Sequence, residues 1–169
     1  VSFDDLLRSK IVYSVSAFDK FMHDIVRRGM VEIFLGIRPS TPKYKSEPIS
    51  LAAVQQLSSA VTPPPEFVFE QLIQSKLKVL SFQDPDKVAD GLSYIWGEAQ
   101  KWQRISAAIG MDEKVARTTL KLIVTRRNSI VHESDMDPIS HEKISISRSE
   151  ANDVSNFILR IGEAIHSLV

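Results

Sequence analysis

The sequence predicts an all-α protein, a helical bundle of four long helices plus one or two short ones. Three observations carry that reading. Apolar residues recur at steps of three and four through most of the chain, the period of an amphipathic helix. Capping residues and prolines stand where those stripes begin, and glycines stand where several of them end. Apolar alternation, the mark of a strand, extends no further than Ile144-Ser145-Ile146, enough for a short extended piece only.

The first helix follows Leu7, Ile11, Val15, Phe18, Met22 and Ile25, with Phe3, Phe21 and Val26 widening the stripe. Gly29 and Gly36 are candidate breaks, and residues 30–35 either extend the helix or follow a kink. Residues 37–49 carry Pro39, Pro42 and Pro48 and are expected to form a loop. Ser50 can cap a short helix through Ala60. Pro63-Pro64-Pro65 stops that piece and starts the next with proline in its first turn. Phe69, Leu72, Ile73, Leu77 and Leu80 supply the stripe there.

Asp84-Pro85 opens a further helix along Val88, Leu92, Ile95, Trp96, Ala99, Trp102 and Ile105, closed by Gly110. Asp112 caps a helix expected to end around 132–134, its buried side read as Val115, Thr119, Leu122, Ile123 and Ile130. A loop with Asp137-Pro138 follows. Ser147-Arg148-Ser149-Glu150 is a capping box, and Val154, Ile158, Ile161, Ile165 and Leu168 then repeat at 4-3-4-3.

A chain of 169 residues is long enough to bury a core without covalent staples. It has no cysteine, which removes a disulfide scaffold, a thiolate metal site and a cysteine nucleophile, and fits a reducing, cytoplasmic setting. The 21 Lys and Arg balance 21 Asp and Glu, so bulk charge does not drive nucleic-acid binding, although a local basic site remains open. No apolar run approaches the ~20 residues that a bilayer requires, and the start does not read as a signal peptide. The first residue is Val1 rather than Met, and the expectation is one domain over 1–169 within a longer protein. No metal-ligand spacing, glycine-rich phosphate loop or nucleophile elbow is present, so no metal or cofactor is expected.

The segment Arg126-Arg127-Asn128-Ser129-Ile130-Val131-His132-Glu133-Ser134-Asp135 concentrates two guanidiniums, a carboxamide and an imidazole at a helix C-terminus. Asn128 and His132 are four residues apart and share a face. His132 lies five residues after Arg127, about 140° around an ideal helix. The two act together only if the helix end is irregular or a second copy brings its own pair. Taken alone, Arg and His at a helix C-terminus also satisfy the helix dipole.

This segment resembles the Arg-x(4–6)-His motif of the HEPN superfamily, with Asn128 directly after the arginine. The resemblance extends to the early stretch from Ser16 to Asp24 and to residues Arg126–Pro138, which look like the RiboL-PSP-HEPN subgroup. It implies a HEPN-like bundle that dimerises through the motif helices. It also implies a metal-independent endoribonuclease, in which an RNA 2′-OH attacks the adjacent phosphate to leave a 2′,3′-cyclic phosphate and a 5′-OH. In that reading His132 is general acid or base and Arg127 stabilises the transition state. Asn128 orients the imidazole or the phosphate, and Arg126 holds the RNA backbone. A toxin or antiphage-defence role, with an antitoxin or a fused regulatory domain as partner, is implied by the resemblance alone.

The first helix departs from the family pattern. Where many HEPN ribonucleases carry a Glu-x-x-x-Lys-Arg-like motif, this chain has Asp19, His23 and Asp24. Asp19 and His23 share a face, so the pair is expected to point at the motif helix or to be a buried polar pair. The Lys and Arg clusters elsewhere read as solvated faces, and Trp96 and Trp102 as packing residues. Two other readings stay open: a catalytically silent HEPN module that dimerises or holds RNA, and a helical scaffold without an RNA link.

Overall fold

A computed structural model describes residues 2–169. Eight helices follow in chain order among them: α1 (Phe3–Phe34), α2 (Pro42–Ser46), α3 (Leu51–Ser59), α4 (Pro65–Leu77), α5 (Pro85–Leu92), α6 (Lys101–Ala108), α7 (Glu113–His132) and α8 (Arg148–Leu168). The all-α bundle with four long helices (α1, α4, α7, α8) is as the stripes predict, but four short helices accompany them rather than one or two.

The 32-residue α1 is the axis against which α8, α4, α7 and α5 pack. It opens with a capping box in which Ser2 and Asp5 exchange backbone and side-chain hydrogen bonds. Its inward stripe runs Ile11, Val15, Phe18, Met22 and Val26 and continues through Met30 and Ile33. Gly29 therefore does not break the helix. A Cβ there would come within 2.6 Å of Ile95 Cγ2, so the glycine permits close approach of α1 to the segment after α5. The break falls at Gly36, at φ +73°. There Gly36 N–H donates to Ile33 and Ile37 N–H to Glu32, the paired closure of a left-handed helix end.

The stretch from 84 to 110 is two helices, not the single one its stripe suggested. The indole N–H of Trp102 donates to the Pro85 carbonyl at 2.7 Å and folds α6 back onto the start of α5. Two carbonyls at the bend are taken up from the preceding loop, Tyr94 by the Thr41 hydroxyl and Ile95 by Arg38. The apolar stripe survives the bend because Val88, Leu92, Ile95, Trp102 and Ile105 all enter the same core.

The buried side of α7 is also rotated from the expected one. Val115 and Leu122 are exposed, while Ala116, Leu120 and Ile123 are buried. The inward positions thus step 116, 120, 123, 127 and 130. Ile130 and Ile146 pack on a small second cluster of Leu7, Ile11 and Ala151, under the C-terminal end of α7. Between α7 and α8 the expected extended piece at Ile144-Ser145-Ile146 forms no strand, and an isolated bridge joins Met136 to Lys143 just before it. The Ser147/Glu150 capping box then starts α8 as the sequence indicates.

Candidate functional site

The helix α7 stays α-helical through His132, its last helical residue, and Glu133 caps it. The motif therefore lies on a regular helix. Relative to Arg127, Asn128 lies about 100° around the axis and His132 about 140°. Asn128 stands between the other two. Arg127 occupies an inward position of the stripe, between Ile123 and Ile130, and its Nε is buried without a hydrogen-bond partner. Its outer end turns toward solvent, where Nη1 donates to Asn128 Oδ1 at 3.0 Å. Asn128 and His132 are exposed. The guanidinium is thus drawn round the helix toward the face that carries the imidazole.

Arg126 is occupied within the chain. Its Nη2 lies 3.1 Å from Asp135 Oδ2 and donates to the Ser145 carbonyl. Asp135 is fully buried, and the same Oδ2 accepts from Arg8 Nε of α1 at 2.7 Å. Arg8 Nη2 also donates to the Ile144 carbonyl. The sequence alone does not pair Arg8 with Asp135. One signal was available: Arg8 falls on the inward stripe of α1, three residues before Ile11, and a charge at such a position requires a partner.

Asp19 and His23 do not turn toward the motif helix. Asp19 Oδ1 accepts the backbone N–H of Phe82 at 2.6 Å, in the loop after α4. The His23 ring meets the edge of Phe82 with centroids 4.7 Å apart and lines a cleft with Gln74, Leu77 and Lys78. The two side chains are 4.0 Å apart and mostly buried. Their positions on α1 face α4 because that helix and its loop cover this side of α1, so the pair ties α1 to the α4–α5 connection.

The family model of RiboL-PSP-HEPN matches residues 2–169. The chain belongs to the RiboL-PSP-HEPN family. No curated protein and no solved structure matches it.

In this HEPN domain a cleft of about 390 Å3 opens beside the end of α7, lined by Arg8, Tyr13, Ile130, Ser134 and Lys143 among others. Tyr13 is 74% exposed. Lys143 reaches Asp5 at 3.2 Å. Asp5 is held well below the ordinary carboxylate range by the Ser2 backbone N–H and by Lys143. Several basic residues elsewhere are matched: Arg27 with Glu70, Arg28 and Arg38 with Glu32, and Arg117 with Asp86. Among the described residues no group of His, Cys, Asp and Glu is arranged to hold a metal ion. None of the described helices is long and apolar enough to cross a membrane.

Proposed function

We propose that this HEPN domain is a metal-independent endoribonuclease whose reacting groups are Arg127, Asn128 and His132. The observation that carries the reading is the hydrogen bond from Arg127 to Asn128, one turn before an exposed His132. The set supplies what transesterification of RNA requires. An imidazole takes the 2′-OH proton as the oxygen attacks phosphorus, and an imidazolium returns a proton to the departing 5′-oxygen. The guanidinium binds the phosphate and stabilises the added charge on its oxygens. The products are a 2′,3′-cyclic phosphate and a 5′-OH.

Because α7 is regular to its end, the imidazole and the guanidinium of one copy keep an angular gap that only Asn128 spans. A second copy facing the motif helix would bring its own Arg127 and His132, giving one imidazole for each proton transfer. The working unit in this reading is a homodimer through α7. Single-stranded RNA or tRNA loops are the fitting substrates, since their 2′-OH can rotate into line with the leaving oxygen. The setting that goes with this reading is a toxin or defence role in the cytoplasm, restrained by an antitoxin or a fused domain, since such an activity needs control.

One observation favours the silent-module alternative. Asp19 and His23 are engaged with Phe82, so the first helix sends neither group to the motif. The test is incubation with total tRNA and with single-stranded RNA in excess EDTA, beside His132→Ala and Arg127→Ala, reading 3′ ends. Cyclic-phosphate ends from wild type alone support the nuclease. RNA binding without product in all three proteins supports the silent module.

A further inference from the structure

We infer that Asp135 is a positioning residue, which holds the last turn of α7 and, through it, His132. The inference rests on the nuclease reading above for its catalytic consequence, and on the structure of the α7–α8 connection for its mechanical one.

Two residues, Glu133 and Ser134, separate His132 from Asp135, and the chain between them does not relax into an ordinary loop. Ser134 and Asp135 both take left-handed backbone conformations, at φ 55° and 60°, and neither is glycine. Such a pair persists only where surrounding contacts over-determine it. Those contacts converge on Asp135. Its N–H donates to the Ser129 carbonyl at 3.0 Å, beside the Glu133 N–H on the same oxygen. Its carbonyl accepts from Ile144 N–H at 2.8 Å. Its Oδ2 receives Arg8 from α1 and faces Arg126 from α7, while Oδ1 is buried without a partner.

Through its carboxylate and its backbone carbonyl, Asp135 therefore joins the first helix, the motif helix and the segment that leads into α8. Arg8 and Arg126 extend the joint to the Ile144 and Ser145 carbonyls. His132 itself is exposed. Its direction follows from the turn that carries it, and that turn ends at Asp135. The catalytic demand is for the imidazole to stay within reach of a proton, where small displacements cost large factors in rate.

The test compares wild type with Asp135→Asn, which keeps the shape and removes the charge, and with Arg8→Lys, which keeps the charge and removes the planar fork. Amide hydrogen exchange, the His132 ring-proton resonance and steady-state cleavage of a single-stranded RNA are measured on each. The expected result is exchange about ten-fold faster or more over 129–136, with the α1 and α8 cores unchanged. The His132 resonance should shift, and kcat should fall about ten-fold or more while KM stays within about three-fold. A merely structural role would lower all core protection together. A lost RNA contact would raise KM alone.

Wild-type exchange, resonance and kcat in Asp135→Asn overturn the proposal, as does a rise in KM alone. If Asp135→Asn does not fold, the same readouts on Arg8→Lys decide. If wild type cleaves no RNA, the nuclease reading fails by itself. The positioning of His132 is then judged by exchange and resonance, a change in both supporting it and no change overturning it.

Discussion

Arg127 donates through Nη1 to the carboxamide oxygen of Asn128 at 3.0 Å, across adjacent positions of α7. Neighbouring residues on a helix point about 100° apart, so this contact bends the long arginine toward the outer face. Removing the acceptor frees the guanidinium. Asn128→Ala is expected to lower kcat/KM about ten-fold, the scale of a hydrogen bond to a charged group discounted for exposure. Initial rates on a single-stranded RNA check it. Wild-type rates would remove Asn128 from the site.

Tyr13 stands 74% exposed on the wall of the cleft beside the end of α7. A base stacked on such a ring contributes ~1–3 kcal/mol. Tyr13→Ala should therefore weaken RNA binding by about ten-fold at constant salt, with kcat at saturating RNA unchanged. Fluorescence anisotropy on labelled RNA measures this. Equal affinity in both proteins would place the RNA path elsewhere.

Asp19 is predicted to matter for stability rather than for chemistry, since it accepts the Phe82 N–H at 2.6 Å. Asp19→Ala leaves that donor without a partner and should cost about 1–3 kcal/mol in a urea titration. Asp19→Asn keeps an acceptor and should lose less. His23→Ala removes an edge-on contact with Phe82 and should cost about 1 kcal/mol. Cleavage by these variants should match wild type at temperatures where they are folded. A selective loss of kcat in stable Asp19→Asn would return the pair to the site.

Three carboxylates around the α7–α8 connection are held below their ordinary values: Asp5 by Ser2 and Lys143, Asp137 by the Ser140 and Ile139 N–H groups, and Glu150 by Ser147. Their folded pKa values lie under the unfolded ones of 3.8, 3.8 and 4.5. The unfolded chain then binds protons first as pH falls. Their contribution is full above the unfolded values and is lost on descent through them toward the depressed ones. Amides over 135–150 should therefore lose protection on acidification below about pH 4 before the α1 core does. Simultaneous loss in both regions would contradict this.

The gap between sequence and structure has a common cause in α7. Its residues Val115, Leu122 and Ile123 suggested one buried side, yet the inward stripe runs through Ala116, Leu120, Ile123 and Arg127. Alanine and arginine are weak signals in a hydrophobic count. A short side chain suits close helix packing, and an arginine can bury its stem and turn its head outward. In the same way, Val88 to Ile105 kept its period through a bend, because two helices bury into one core and period does not report direction.

Local sequence alone specifies the helical class, the long helices α1, α4, α7 and α8, the caps of α7 and α8 at Asp112 and Ser147, and the motif carrying Arg127, Asn128 and His132. These depend on local spacing and on backbone groups within a few residues of one another. That Asp19 serves Phe82, that Arg126 serves Asp135, and that Arg8 reaches a residue 127 positions away are outcomes of packing. A charge taken from water must find its partner wherever packing brings one, and no local pattern states where that will be.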